Sequence, residues 1–514
     1  MQIPGRGYFL DVFPHDTSHA LFVHGDGEAL HFYRIDLAAK KFDGLQFRGE
    51  LRLDRGLKQP YYGLLDGAGV LRVAFVLGDG DYALMYRADA NAPWTEVRRF
   101  TADQTFDPLT LSADGLHLIA RSDENREQVD IVSINLPGGD IAETIFSAPG
   151  IDTEGAIISH ADRRVLAAML YREGRLDAEY VDKPNGALRE MLQRALPDRD
   201  ITVLDTSTDR HAALVVASSE TQPGTFYYLD VTARHAQEIS SEYPPMPHAH
   251  LVSSQRIVAK AADGIGIESY LTLPYQAKPP YPLVVMPHGG PIGVRDVLGF
   301  DPEVELLADR GYAVLRVNYR GSGGMGKSFE QAGFGAWGKQ IEGDVQTAID
   351  AALKQAPLDA SRIAIRGGSY GGYSALMGLI KTPERFRCGI ALYAVSDVPL
   401  MFTSSDWADN TALRERMKRI VGDPNTSMAD LESISPDRLY AKLERPLLLV
   451  HGATDRRVTL EHMLRLTTLL GHAGRPPHWI VFNNEAHGTR DPANRYLLEA
   501  TADKFLAGCL GATH

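Results

Sequence analysis

The sequence is poor in cysteine, has no long apolar run and no basic surplus, and each of these lacks removes a class of protein. Only Cys388 and Cys509 occur among 514 residues. Two cysteines cannot make a disulfide framework, and neither sits in a Cys/His cluster with zinc-ligand spacing. The expectation is two reduced thiols in a core or helix, and no metal. No apolar stretch approaches the roughly 18 residues of a membrane span, so no membrane partner is expected. The start, "MQIPGRGYFLDVFPHD", shows neither a basic segment leading into an apolar one nor a cleavage pattern. That points to a cytoplasmic protein, or a periplasmic or secreted one if a signal sequence is missing from this chain. A net charge of −13 and the lack of any long Lys/Arg run argue against a nucleic-acid partner.

What is present divides into two parts that obey different periodicities. The first ~240 residues are short strand-like runs paired across turn signals. "HALFVHGDGEALHFYRID" folds back across "GDGE", "VLRVAFVLGDGDYALMYRAD" across "GDGD", and "LHLIARSDENREQVDIVSINL" across "SDENRE". "RVLAAMLYREGRLDAEYVD" and "HAALVVASSETQPGTFYYLDV" complete a series of about five units. The units recur after about 40 to 50 residues, the period of a four-stranded propeller blade, which favours a propeller over a sandwich.

The proline-rich stretch "SSEYPPMPHAH", residues 240–250, reads as a linker and sets domains at 1–245 and 246–514. Beyond it strands alternate with helices. "YPLVVMPHGG", "YAVLRVNYRG", "SRIAIRGG", "RPLLLVHG" and "HWIVFN" are strand-like; "IEGDVQTAIDAAL", "YSALMGLIKT", "TLEHMLRLTTLLGHAG" and a last segment from about Ala493 to Leu510 are helix-like. Such alternation predicts a mostly parallel sheet covered on both faces, with function at the carboxyl ends of its strands.

Gly367-Gly368-Ser369-Tyr370-Gly371 matches the G-x-S-x-G nucleophile elbow. Alone the match is weak in a chain with 48 glycines. Its context, a strand before and a helix after, is what the elbow requires. A serine hydroxyl needs a base and an orienting acid, and on this fold the chain order is Ser, Asp or Glu, His. Asp455, in "HGATDRRV", and His487, in "NNEAHG", both follow strand ends in that order. Taken singly, each has a bland reading as a helix cap or a loop histidine; the ordered set of three favours a nucleophile, an orienting acid and a base. Backbone N–H groups of Tyr370 and of Gly290, in "PHGGP", are placed to receive an oxyanion. His288 and His451 read as packing groups. "GSGGMG", residues 321–326, is formally G-x-G-x-x-G, but "KSFEQAGFGAWGKQ" intervenes before the convincing helix, on which Glu342 and Asp344 lie, so a structural or substrate-gorge loop is expected and no dinucleotide.

Together "PHGGP", "NYRGSGGMGKSF", "GGSYGGY", "HGATDRRV" and "EAHG" resemble the prolyl oligopeptidase family of serine peptidases, in particular its acylaminoacyl-peptidase-like bacterial branch. The resemblance spans about residues 255 to 510. It implies an N-terminal β-propeller followed by a C-terminal α/β-hydrolase domain, with Ser369, Asp455 and His487 as catalytic triad and Gly290 and Tyr370 at the oxyanion hole. It also matches Arg457 to an arginine that can bind a substrate carbonyl. Family propellers usually carry seven blades, so five units imply a chain short of N-terminal blades or a shortened, open propeller. The aromatic expected after "VS" in proline-selective dipeptidyl peptidases is absent from "YAVSDVPLMF"; Val398, Met401 and Phe402 instead suggest a broad apolar pocket. The implied activity is hydrolysis of short peptides, acylaminoacyl- or dipeptidyl-peptidase-like, through an acyl-enzyme and without cofactor. A carboxylesterase on the same scaffold is the nearer alternative and a non-catalytic propeller binding protein the remote one. The family often assembles, which implies a homo-oligomer.

Overall fold

In a computed structural model of the chain, the structure describes residues 7–13, 16–25, 30–37, 52–78, 81–101, 104–244 and 250–511. Two compact units emerge. The first runs to Leu170 and includes Asp177–Ala217 and Phe226–Ile239; the second comprises Tyr171–Leu176, Ser218–Thr225 and the chain from Ser240 onward. The boundary at 245/246 and the middle of the linker, like the tips of the "GDGE" and "GDGD" turns and parts of the opening segment, lie outside the described residues.

The N-terminal unit is a five-blade β-propeller. Its blades are meanders of three strands (Gly7–Phe13, Asp16–Gly25, Leu30–Asp36), four (Pro60–Leu65 to Thr95–Thr101), four (Phe106–Leu111 to Ile141–Phe146), three (Thr153–Ile158 to Arg175–Tyr180) and four (Asp200–Thr206 to His235–Ser241). Each predicted hairpin forms, as in the second and third strands of the first blade, paired from His19 opposite Asp36 to Gly25 opposite Leu30. Between the last two blades comes a helix the strand pattern did not reveal, Lys183–Ala195. Asp182 caps it by accepting from Asn185 N at 3.0 Å, and Leu188 and Leu192 pack beneath it on Ile201 and Val203.

The second unit is an α/β-hydrolase fold built on one eight-stranded sheet. Its strands are β1 (Ser254–Lys260), β2 (Gly266–Thr272), β3 (Tyr281–Pro287), β4 (Ala313–Asn318), β5 (Leu358–Gly368), β6 (Cys388–Leu392), β7 (Leu447–Gly452) and β8 (His478–Phe482), in the spatial order 1-2-4-3-5-6-7-8. The first two pairings are antiparallel and the rest parallel. Successive residues face opposite ways. Leu447 and Leu449 of β7 therefore join the core under the helices Gln340–Gln355, Tyr370–Lys381 and Leu460–His472, while Leu448 and Val450 join the opposite core under Pro302–Asp309 and Pro492–Leu510.

Two features depart from expectation. Cys388 on β6 and Cys509 in the last helix are joined by a disulfide, with Cα atoms 6.3 Å apart, which corrects the reading of two reduced thiols. They are 121 residues apart in sequence, and meet because the last helix lies across β6. The other is Arg366 on β5, a charge in an otherwise apolar run. It is 1% exposed and paired with Glu303 on one covering helix and Glu499 on another. Among the described residues no helix is long and apolar enough to cross a membrane.

Candidate active site

Strand β5 runs into Ser369, whose backbone sits at φ 58°, ψ −118°, and the helix Tyr370–Lys381 starts at the next residue. A non-glycine residue at positive φ is strained, and such strain recurs at functional positions. It is held by Ser369 N donating to Leu392 O at 2.8 Å and Tyr373 N donating to Ser369 O at 3.0 Å. Tight packing explains the glycines around it: a Cβ on Gly371 would lie 2.1 Å from Pro287 O. The turn thus presses against β3, and the serine is left partly exposed.

Asp455 and His487 follow β7 and β8. Asp455 is fully buried, and its Oδ2 accepts from His487 Nδ1 at 2.7 Å. Its other oxygen, Oδ1, accepts from Arg457 N (2.9 Å) and Val458 N (3.1 Å). With Nδ1–H committed to the carboxylate, Nε2 of His487 is the acceptor nitrogen. His487 is 29% exposed and lines the same cavity as Ser369.

Gly290, at φ 125°, adopts a conformation that favours glycine, and with Gly289 it also lines that cavity. Tyr370 N–H is in the first turn of its helix, where backbone donors have no intrahelical partner. The loop carrying Gly290 is braced by the "GSGGMG" segment. Gly293 N donates to Gly321 O (2.9 Å) and Gly323 N to Val294 O (3.1 Å). His288 reinforces this brace. Its Nδ1–H donates to Gly289 O (2.7 Å), its Nε2 accepts from Ser322 (2.8 Å), and its ring stacks on Tyr319. Burial pushes its pKa down to about 4, so the ring is a neutral packing group at ordinary pH. His451 is buried too, with Nε2–H donating to Val458 O at 2.8 Å and its pKa lowered by burial.

The cavity is about 570 Å³. Arg457 and Met401 line it. The guanidinium of Arg457 is paired with Asp406 at 2.7 Å and lies over the Trp407 ring at 4.8 Å. Val398 and Phe402 are not among the residues that line it. Residues Pro399–Phe402 form a 3₁₀ turn that follows Val398. Val398 is fully buried, and Phe402 borders a different hollow.

Unforeseen is the helix Thr411–Val421, which contributes Leu413, Arg416, Met417 and Ile420 to the wall. The spacing i, i+3, i+4, i+7 puts them on one face, a pattern visible in "TALRERMKRIV". Trp337 and Trp407 are further wall residues that sequence reasoning did not single out.

Comparison with known proteins gives a family and a fold. The family model described as "Prolyl oligopeptidase family" matches residues 298–513. Dipeptidyl aminopeptidase BIII of Pseudoxanthomonas mexicana is 30% identical over 467 residues, covering 86% of this chain and 67% of the relative. The acylamino-acid-releasing enzyme of Homo sapiens is 31% identical over 254 residues, or 48% of this chain; the matched region spans only 33% of that relative's length. The crystal structure of a puromycin hydrolase has the same fold, with a TM-score of 0.75 at 18% identity over all of this chain and 80% of the other.

Proposed function

The chain belongs to the prolyl oligopeptidase family of serine peptidases, and from that premise we propose that it hydrolyses short peptides through an acyl-enzyme on Ser369. The observation that carries this reading is the buried Asp455–His487 bond at 2.7 Å, beside a serine strained outward into the same cavity. His487 Nε2 takes the hydroxyl proton as Ser369 attacks the carbonyl, and Asp455 holds the ring in the useful tautomer and stabilises the imidazolium. The backbone N–H groups of Tyr370 and Gly290 receive the oxyanion. His487 then passes the proton to the leaving amine, and water, activated by the same nitrogen, releases the acyl group.

The substrate class follows from the relatives and the walls. A dipeptidyl aminopeptidase and an acylamino-acid-releasing enzyme both act at peptide amino ends by name, and an apolar wall with Met401, Met417 and Trp337 suits an apolar side chain before the cleaved bond. The test is hydrolysis of aminoacyl p-nitroanilides with free and blocked amino ends, beside p-nitrophenyl acetate and butyrate, by wild type and Ser369→Ala. Anilide cleavage that vanishes in the variant supports the proposal, and the panel identifies the preferred amino end. Cleavage of esters alone makes the protein an esterase, and a variant equal to wild type removes Ser369 from the chemistry.

A further inference from the structure

Glu485 stands two residues before His487 and has no part in the proton transfers above, yet it is 4% exposed, and the bonds its carbonyl and carboxylate accept bear on the histidine loop. Its backbone carbonyl accepts twice from Thr454, from N at 3.0 Å and from Oγ1 at 2.8 Å, which ties it to the residue adjoining Asp455. Its side-chain Oε1 accepts from Arg490 N (3.1 Å), Asp491 N (2.8 Å) and Asn494 Nδ2 (3.0 Å), which ties it to the far end of the same loop and to the first turn of the last helix. One residue thus fastens the stretch 486–489 at both ends. The fit beneath is close as well: a Cβ on Gly452, at the end of β7, would lie 2.2 Å from Ala486 O.

We infer that Glu485 is a positioning residue that holds His487 at the distance where it can bond Asp455 and reach Ser369. This rests on the reading of His487 as the base. The loop around His487 has no regular secondary structure, and its glycine at 488 (φ 126°) offers no stiffness of its own. Rigidity must therefore come from side-chain ties. The bonds from Asn494 and the two backbone N–H groups also hold the Glu485 carboxyl below its ordinary pKa, so it stays a strong acceptor. A displacement of the base by about 1 Å costs on the order of 100-fold in rate.

The experiment compares steady-state anilide hydrolysis by wild type, Glu485→Ala, Glu485→Gln and Ser369→Ala, with thermal unfolding of each. Glu485→Ala should lower kcat by about 10- to 100-fold with KM within about twofold, as expected when only the transition state loses. Glu485→Gln keeps an oxygen that can accept all three bonds, and should stay within about threefold of wild type with the acid limb of its pH profile unmoved. Wild-type kcat in Glu485→Ala overturns the inference. So does a Glu485→Gln variant as slow as Glu485→Ala with a shifted acid limb, because charge rather than position would then be the cause. If Glu485→Ala does not fold, Asn494→Ala removes one donor to its carboxylate and should cost kcat about fivefold; no loss there overturns the inference equally. Ser369→Ala separates the two readings: activity retained there sinks the nucleophile assignment, whereas an inactive Ser369→Ala beside a fully active Glu485→Ala sinks only the positioning role.

Discussion

Replacing Asp455 by Asn should lower kcat by about four orders of magnitude while leaving the fold intact, and the structure says why so small a change is so costly. The two carboxylate oxygens do different work. Oδ1 accepts from two backbone N–H groups, Arg457 and Val458, and Oδ2 accepts from His487 Nδ1. An asparagine must choose which end carries its NH₂ group. Turning it toward the backbone would orphan two donors against a buried group, at about 1–3 kcal/mol each. The amide oxygen therefore takes the Oδ1 position and the NH₂ group faces His487. Nδ1 must then become the acceptor, the proton moves to Nε2, and the nitrogen that should take the Ser369 proton is already occupied. Loss of the correct tautomer is worth about 10⁴-fold in such a trio, or about 5.5 kcal/mol of barrier. The assay is kcat for an aminoacyl p-nitroanilide at pH 7.5, with circular dichroism and unfolding temperature as controls. An Asp455→Asn enzyme with more than about a tenth of wild-type kcat would refute the reasoning.

Three other outcomes are expected. Arg366→Met strands Glu303 and Glu499, whose side chains are 35% and 21% exposed and can partly rehydrate; the loss should sit near the lower end of the ~3–5 kcal/mol for a broken buried pair, and a loss under about 0.5 kcal/mol in denaturant titrations contradicts this. Burial lifts the Glu342 carboxyl from 4.5 to about 7; with the folded pKa above the unfolded one, stability falls as pH rises between those values, so Glu342→Gln, which keeps an acceptor for the Tyr370 hydroxyl, should gain more in Tm at pH 8 than at pH 5, and an equal gain at both rules it out. Thiol titration in denaturant should find no free thiol before reduction and two after, and two beforehand would show Cys388 and Cys509 unpaired.

Much of the second unit could be read from its sequence because parallel strands buried on both faces are continuous apolar runs. "YPLVVMP" and "LLLVHG" are such runs, and the glycines that end or follow them mark the chemically useful edge. Asp455 and His487 could be located by strand ends alone, though only the structure brings their side chains to 2.7 Å. The helix Lys183–Ala195 was hidden because its apolar contacts are few and lie amid polar residues, although Asp182 followed by Pro184 is a start signal. Val398, Met401 and Phe402 are near neighbours in sequence, which says nothing about which way a 3₁₀ turn points each side chain: Met401 lines the cavity, Val398 is buried and Phe402 borders another hollow. Glu485 stands in the "EAHG" stretch, but its role could not be read there: its partners at 454 and 490–494 gather only when two strand ends are already side by side.

The helix Thr411–Val421 has a consequence for how this protein can change. It belongs to none of the strands that carry Ser369, Asp455 or His487, yet four of its eleven residues form pocket wall. On the proposed function, preference and chemistry are thereby written in separate stretches of chain. A substitution at Leu413 or Met417 alters the shape offered to a side chain without disturbing the strained turn at Ser369 or the bond that aims His487. Selection for a new substrate can act on one surface helix, four residues at a time, while the machinery that breaks the bond is inherited whole.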